Sequence, residues 1–436
     1  MAISAPQSSS ANNSQDAPVK TNYSAMAMVT TLFFMWGFLT CLNDILIPHL
    51  KGLFDLTYMQ VMLVQFAFFT SYFVFSTPSG KLIEAVGYKR AMVAGLCTMG
   101  IGTILFVPAA MVPSYPLFLT ALVILAGGMT ILQTSANPYV AVLGPPNTAS
   151  SRLNLTQAFN SLGTTVAPYF GKILILGAVA APVAVEVFRK MGDAERHAYQ
   201  VDQASAIKNP YIGLAISLFV LAVIMGLFKL PVIRSVEGHA EAGDSIWQHK
   251  QLVLGAMGIF VYVGAEVSIG SFLVNYMHEP NIGNLTLEKA AGYLTYYWLG
   301  AMVGRFIGAA LMGWLKLNPG KYLGVNALFA ALLVIASMLS VGHTAMWAML
   351  AVGFFNSIMF PTIFTLGIDG LGHLTGKGSG LLIAAIIGGA IIPLVQGYFA
   401  DRMGIHHAFF LPVLCYAFIA YYGFVGSKHG HEAVAG

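Results

Sequence analysis

The chain has 436 residues, of which 57% are hydrophobic and only 9% are charged, and its formal net charge is +4. A soluble domain carries about 25% charged residues, and a soluble chain of this length could not hide so much apolar surface from water. The composition therefore excludes an ordinary soluble domain and predicts an integral membrane protein, and the small, dispersed charge gives no basis for nucleic-acid binding.

The N-terminal stretch is rich in Ser, Asn, Gln and Pro. It has neither the apolar core nor the small-residue cleavage site of a signal peptide. We therefore expect residues 1–25 to form a disordered cytoplasmic tail.

Apolar stretches follow one another along the rest of the chain, separated by charged residues and Gly/Pro turns. About 20 apolar residues are needed for a helix to cross the bilayer core. Twelve such stretches lie near residues 26–49, 59–83, 91–112, 116–141, 153–179, 211–229, 251–277, 289–314, 321–341, 345–368, 378–399 and 408–425. The pattern predicts an all-α membrane protein with twelve transmembrane helices.

Basic residues mark one side of this bundle. If the N-terminus is cytoplasmic, that side receives Lys89, Arg90 and Arg152 among others, whereas the short outer loops hold few Lys or Arg. Because basic loops stay in the cytoplasm, we expect both termini on that side.

A polar, charged segment divides the chain near its middle. It predicts a cytoplasmic linker at 230–250 between two six-helix bundles, 26–229 and 251–426, with a cytoplasmic tail at 427–436. Gly163 lies five residues before Pro168, and Gly388 lies five residues before Pro393. The two glycines are 225 residues apart, and similar offsets recur elsewhere, so the halves are predicted to be repeats.

The segment GKLIEAVGYKR, residues 80–90, follows the second span. It resembles the loop motif of the major facilitator superfamily, with Glu84 where Asp is usual. The resemblance implies a fold of two six-helix pseudo-repeats. Together with Arg305, the motif residues are expected to make cytoplasmic gate or turn contacts: Gly80, Glu84, Gly87, Lys89 and Arg90.

Longer strings narrow the resemblance to the fucose/galactose/glucose–cation symporter family. They are WGF at 36–38, LNDIL at 42–46, TSANP at 134–138, RLNL at 152–155, YVGA at 262–265 and FPTIF at 360–364. The resemblance implies cation-coupled symport of a hexose by alternating access. It also implies a bacterial inner-membrane protein that works as a monomer.

Two positions depart from the fucose-type pattern. Fucose-type members carry Glu at the position of Gln133 and an amide at the position of Glu266. The string VGAEV at 263–267 is more similar to the glucose/galactose branch. Glucose or galactose is therefore the expected substrate, with fucose or N-acetylglucosamine as the alternative, and a drug or lipid exporter less favoured.

Two carboxylates at membrane depth are the candidates for cation coupling. Asp44 lies well inside the first span, and Glu266 lies at the corresponding height of the seventh. An ionisable side chain at the helix centre costs about 2.5–3.5 kcal/mol on insertion scales, so such residues usually have a function. Either carboxylate could bind Na⁺, carry H⁺ or contact the sugar, although each could instead form a structural bond between helices.

Amides and aromatic rings are the remaining candidates for sugar contact. A sugar is neutral and rich in hydroxyl groups, and amides both donate and accept hydrogen bonds without a charge to desolvate. The candidates are Gln133, Asn137, Gln157, Asn160, Asn275, Asn356 and Gln396, with Trp36 and Trp298 for stacking. Interhelical packing would require the same residue types.

The sequence contains no nucleophile–base pair, phosphate-binding loop or metal-ligand spacing. We therefore expect neither an enzyme nor a cofactor, and the partners are a small sugar and the lipid bilayer.

Overall fold

The computed structural model describes residues 21–54, 58–112, 114–174, 191–231 and 245–430. The predicted tails lie mostly outside these ranges, as do residues 232–244 of the predicted linker. The first-half helices are α1 (Tyr23–Phe54), α2 (Tyr58–Met111), α3 (Tyr115–Val142), α4 (Ala149–Leu174) and α5 (Asp193–Leu227). The second-half helices are α6 (Lys250–His278), α7 (Leu287–Trp314), α8 (Pro319–Leu339), α9 (Gly342–Asn356), α10 (Met359–Ile368), α11 (Thr375–Ala384), α12 (Gly388–Met403), α13 (Ile405–Ala408) and α14 (Phe410–Phe424).

These helices form the twelve predicted spans. α2 contains two of them, because the chain leaves helical geometry at Gly87, with φ 80° and ψ 166°. Three spans are broken, and each consists of two consecutive helices: α9 with α10, α11 with α12, and α13 with α14. α5 begins at Asp193, well before the predicted span 211–229, so part of the stretch between the fifth and sixth predicted spans is helical.

Nine stretches of the described residues are long and apolar enough to cross a bilayer, and one of them, Phe66–Met111, holds two spans. The two spans missing from that set are α4 and α7, which have suitable length but carry polar residues within it, such as Asn160 in α4 and Arg305 in α7. Large apolar side chains are exposed on α5 and α8, including Val223 and Leu227 on α5 and Leu332 on α8. In a bilayer these surfaces face lipid.

The two halves repeat the same close helix crossing. A Cβ atom added at Gly163 of α4 would lie 2.3 Å from the backbone oxygen of Phe34 in α1. A Cβ atom added at Gly388, which begins α12, would lie 1.9 Å from the backbone oxygen of Phe260 in α6. Small residues let membrane helices approach this closely. The crossing of the first and fifth spans is therefore built alike in each half, as the sequence offset predicted.

We expect Gly163→Ala to reduce the stability of the first half, because the new methyl group overlaps the Phe34 carbonyl. Overpacking of this kind costs about 1–3 kcal/mol. Gly213→Ala in α5 is the matched control, since nothing lies within 4 Å of its added Cβ. Thermal unfolding of the detergent-purified protein should show a lower midpoint for Gly163→Ala only. Equal midpoints for the two variants would contradict the close crossing.

Candidate functional site

A cavity of about 230 Å³ lies between the two halves. By the same measure one water molecule needs about 10–15 Å³, so the cavity has room for a solute of many atoms. The lining residues on α1, α3, α4, α6 and α7 lie at least about two turns from either helix end, near the middle of the membrane. The first half contributes Trp36, Gly37, Thr40, Phe68, Phe69, Tyr72, Gln133, Gln157, Asn160 and Thr164. The second half contributes Tyr262, Val263, Glu266, Val267, Arg305, Phe360 and Ile386.

Three amides of α3 and α4 form the polar wall of the first half. The amide nitrogen of Gln133 donates to the Tyr72 hydroxyl at 2.7 Å, and that of Asn160 donates to the Phe33 backbone oxygen at 2.9 Å. Gln157 donates to the Asn137 side-chain oxygen at 3.4 Å. Each lining amide is oriented by one such bond and keeps further donor and acceptor capacity for a ligand.

The second half supplies the charged groups of the cavity. The Tyr262 hydroxyl donates to a carboxylate oxygen of Glu266 at 2.7 Å, one turn along α6. Arg305 of α7 also lines the cavity, and both charged side chains are half-buried. The cavity therefore has one acidic and one basic side chain, both from the second half. They face the neutral amides of the first half.

Aromatic rings cover the remaining surface. Phe68 lies 5.3 Å from Tyr72 and 5.7 Å from Phe69 between ring centroids, and Trp36 lies 5.6 Å from Phe33. Phe360 adds an aromatic ring from the second half. Aromatic surface beside a few fixed polar groups is the usual composition of a small-molecule site.

The halves touch on the side of the bundle that carries the 80–90 segment, which we call the motif side. Ser150 and Thr365 share a hydrogen bond of 2.6 Å, and the Ser151 hydroxyl donates to the Ala309 backbone oxygen at 2.7 Å. Asn154 of α4 donates to the Thr362 hydroxyl of α10 at 3.2 Å. Among the described residues, the polar contacts between halves lie on this side or at the depth of the cavity. The cavity is therefore closed toward the motif side.

The motif itself takes part in this closure. Glu84 forms an ion pair with Lys377 at 3.3 Å, and a Cβ added at Gly80 would lie 3.0 Å from the backbone oxygen of Gly376. Lys89 instead donates to the Gly226 backbone oxygen within the first half, at 2.8 Å, and Arg90 is exposed.

Arg305 lies deeper in the bundle than expected. It was grouped with the cytoplasmic gate residues, but it lines the central cavity. The reason is that Arg305 lies nine residues before the end of α7, deep in the span, and α4 offers it hydrogen-bond acceptors there.

The structure places five of the predicted contact residues in the cavity: Trp36, Gln133, Gln157, Asn160 and Glu266. Two others do not line the cavity but are hydrogen-bonded to other buried side chains. Asn137 accepts the bond from Gln157, and Asn356 donates to the Tyr297 hydroxyl at 2.7 Å.

Three predicted contact residues are not in the cavity. Asn275 is exposed, and Trp298 is 43% exposed on α7. Gln396 is fully buried in α12 with neither amide atom hydrogen-bonded. Asp44 belongs to α1, but its side chain lies outside the described residues.

Sequence reasoning missed Tyr72, Phe68, Phe69 and Phe360. A tyrosine in the middle of an apolar span needs a partner for its hydroxyl, and this signal could have identified Tyr72. The phenylalanines carry no such signal, because an apolar ring that faces a cavity looks the same in sequence as one that faces lipid.

Comparison with known proteins agrees with this architecture. Residues 26–386 match the Major Facilitator Superfamily. A glucose/galactose transporter of Brucella abortus is 53% identical over 93% of this chain and 94% of its own length. The L-fucose-proton symporter of Escherichia coli is 36% identical over 90% of this chain and 91% of its own. The crystal structure of FucP in the outward conformation superposes with a TM-score of 0.84 at 35% identity, covering 91% of this chain and 97% of the other.

The fold and the central cavity define a membrane transporter rather than an enzyme. The chain belongs to the Major Facilitator Superfamily and, within it, to the fucose/galactose/glucose–cation symporter family, which confirms the resemblance seen in the sequence.

We expect Tyr72→Phe to raise the KM for sugar uptake several-fold while leaving the maximal rate nearly unchanged. The substitution removes the hydroxyl that orients Gln133, and an unpaired buried amide costs about 1–3 kcal/mol. Tyr276→Phe is the matched control, because it removes a buried hydroxyl bonded to Ser337 at 2.8 Å, away from the cavity. Uptake kinetics in proteoliposomes should separate the two variants. An unchanged KM in Tyr72→Phe would argue against Gln133 as a sugar ligand.

Proposed function

We propose that this chain is a secondary active symporter that carries a hexose together with a proton by alternating access. Glucose or galactose is the leading candidate for the hexose. The observation that carries this proposal is the mid-membrane cavity, where neutral amides and aromatic rings face one carboxylate and one guanidinium. The name of the 53% identical relative supports the choice of sugar.

The cavity suits a neutral, hydroxyl-rich ligand. Gln133, Gln157 and Asn160 offer donors and acceptors on one wall, and Trp36 offers an apolar face to a sugar ring. A drug or lipid exporter would need a broader apolar surface than this amide-lined cavity provides. Fucose or N-acetylglucosamine would need few altered side chains, so these sugars stay the alternative substrates.

Glu266 is the proposed site of the coupling proton. Gln133 is a neutral amide that cannot carry a proton, whereas Glu266 presents a carboxylate to the cavity. Arg305 in the same cavity opposes Na⁺ by like-charge repulsion, but it does not prevent a proton from neutralising Glu266. Asp44 stays a second candidate for the proton site, because the sequence places it well inside the first span.

Alternating access follows from the contact pattern. The halves touch on the motif side, and transporters of this fold open and close by rocking one half against the other. In this proposal the motif side and both termini face the cytoplasm of a bacterial inner membrane, and the chain works as a monomer.

The test of the proposal is uptake of labelled glucose and galactose into proteoliposomes under an imposed pH gradient, then under a Na⁺ gradient at fixed pH. We expect accumulation above equilibrium with the pH gradient alone. Accumulation with Na⁺ alone would replace the proton by Na⁺ as coupling ion. Uptake of fucose or N-acetylglucosamine but of neither hexose would change the substrate.

We expect Glu266→Gln to abolish gradient-driven accumulation while equilibrative sugar exchange continues. The amide keeps the shape and hydrogen bonding of the neutral acid but cannot release a proton. Glu279→Gln, just beyond the end of α6, is the matched control and should accumulate sugar normally. Asp44→Asn is measured in parallel. Full accumulation by both Glu266→Gln and Asp44→Asn would reject the coupling scheme.

A further inference from the structure

Arg305 connects the two halves at the edge of the cavity. Its side chain starts on α7 and donates to the Gln157 backbone oxygen of α4 at 3.4 Å and to the Ser161 hydroxyl. A third bond, of 3.0 Å, reaches the backbone oxygen of Ser357, between α9 and α10. One side chain therefore ties α4 of the first half to two elements of the second.

The tied part of α4 is the part that faces the sugar cavity. Gln157 and Asn160 both line the cavity, and Ser161 follows directly. A guanidinium presents its donors in a rigid, planar fork, so it can hold two acceptors on one helix in a defined position. Arg305 thus sets where the α4 amides stand relative to the second half.

The charge of Arg305 lacks a direct counter-ion among the described residues. Its three acceptors are neutral oxygens, and no ion pair joins it to the carboxylate of Glu266, although the two groups face one cavity and interact electrostatically. A guanidinium stays protonated in proteins, and a cation removed from water is costly without an opposite charge nearby. An ionised Glu266 supplies that charge, and a protonated Glu266 does not.

Among the residues that the structure describes, the other titratable groups near this pair are phenols. Tyr262 donates to Glu266, and the hydroxyls of Tyr297 and Tyr416 lie within electrostatic reach of that carboxylate. Phenols stay neutral at ordinary pH, so the charge of this part of the cavity changes with Glu266. Asp44 is the other candidate acid from the sequence, and its side chain lies outside the described residues.

We propose that Arg305 is a positioning residue that holds the halves together beside the cavity, and that it holds them more tightly when Glu266 is neutral. The inference rests on the proposed function, which takes Glu266 as the proton-binding group. When Glu266 is neutral, the Arg305 guanidinium is stabilised mainly by its hydrogen bonds to the α4 oxygens. When Glu266 is ionised, its carboxylate competes with those oxygens for the guanidinium. A proton bound without sugar then locks the halves in place and cannot leak across the membrane. A sugar hydroxyl that accepts from Arg305 in place of Ser161 releases the lock.

The test measures opening of the motif side by the labelling rate of a single cysteine. The reporter is Ser150→Cys, whose side chain is buried against Thr365 of the other half, in a chain with Cys41, Cys97 and Cys415 replaced by alanine. The purified protein is labelled with a small maleimide at one fixed pH, without sugar. We expect Arg305→Gln to raise the labelling rate about tenfold, since bonds from a charged donor are lost. Combined with Glu266→Gln, the effect of Arg305→Gln should grow by at least about fivefold.

The matched control is Ser151→Ala. The Ser151 hydroxyl also joins α4 to α7, through the Ala309 backbone oxygen, but it carries no charge. Its loss should raise the labelling rate by the same factor with and without Glu266→Gln. Arg305→Gln behaving like this control would overturn the proposal, because Arg305 would then be a simple structural contact.

A second variant keeps the test decisive if Arg305→Gln does not fold. Ser161→Ala removes one α4 partner and leaves the charge in place, so its effect should also depend on Glu266. No rise in labelling for Ser161→Ala in the Glu266→Gln background would overturn the proposal. The assay uses neither sugar nor gradient, so a failure of hexose uptake would reject the proposed function and leave this result readable.

Discussion

The rest of this structure depends on the absence of hydrogen-bonding partners in the hydrocarbon core. An unpaired polar group there costs several kcal/mol, so backbone groups pair within helices and polar side chains turn toward protein or enclosed water. The constraint explains why α5 and α8 expose large apolar side chains, whereas α4 and α7, which carry polar residues such as Gln157 and Arg305, face one another. The cavity forms where this sorting places the polar residues.

The same crossing of the first and fifth spans then serves different chemistry in each half. In the first half, Gly163 packs on the α1 backbone, and Gln157 and Asn160, earlier in α4, face the cavity. In the second half, Gly388 packs on the α6 backbone, and α6 carries Glu266. The neutral amides and the charged groups of the cavity therefore belong to different halves, so that rocking of the halves would change the distance between them.

Contacts such as those of Arg305 acquire their importance from this division. Within one half, a buried guanidinium would only add to packing, as Arg152 does by donating to backbone oxygens of its own half, such as that of Val140. Across the halves, the same kind of contact changes with the transport step. In the proposal, a charge change at Glu266 acts on the first half through the contacts of Arg305 with α4.

The twelve spans, the pseudo-repeat and the family could be predicted from the sequence, because apolar length, glycine spacing and the strings near Asp44 and Asn160 do not depend on how the helices pack. Five residues that line the cavity could also be predicted, because a polar group in the middle of a span usually faces protein or water rather than lipid. They are Trp36, Gln133, Gln157, Asn160 and Glu266. The sequence could not separate Gln396 and Asn275 from these residues, nor place Arg305, because the rotation of each helix about its own axis is set by its neighbours. Only the tertiary structure decided which polar faces meet, since that choice depends on the backbone approaches at Gly163 and Gly388 and on which acceptors α4 presents to α7.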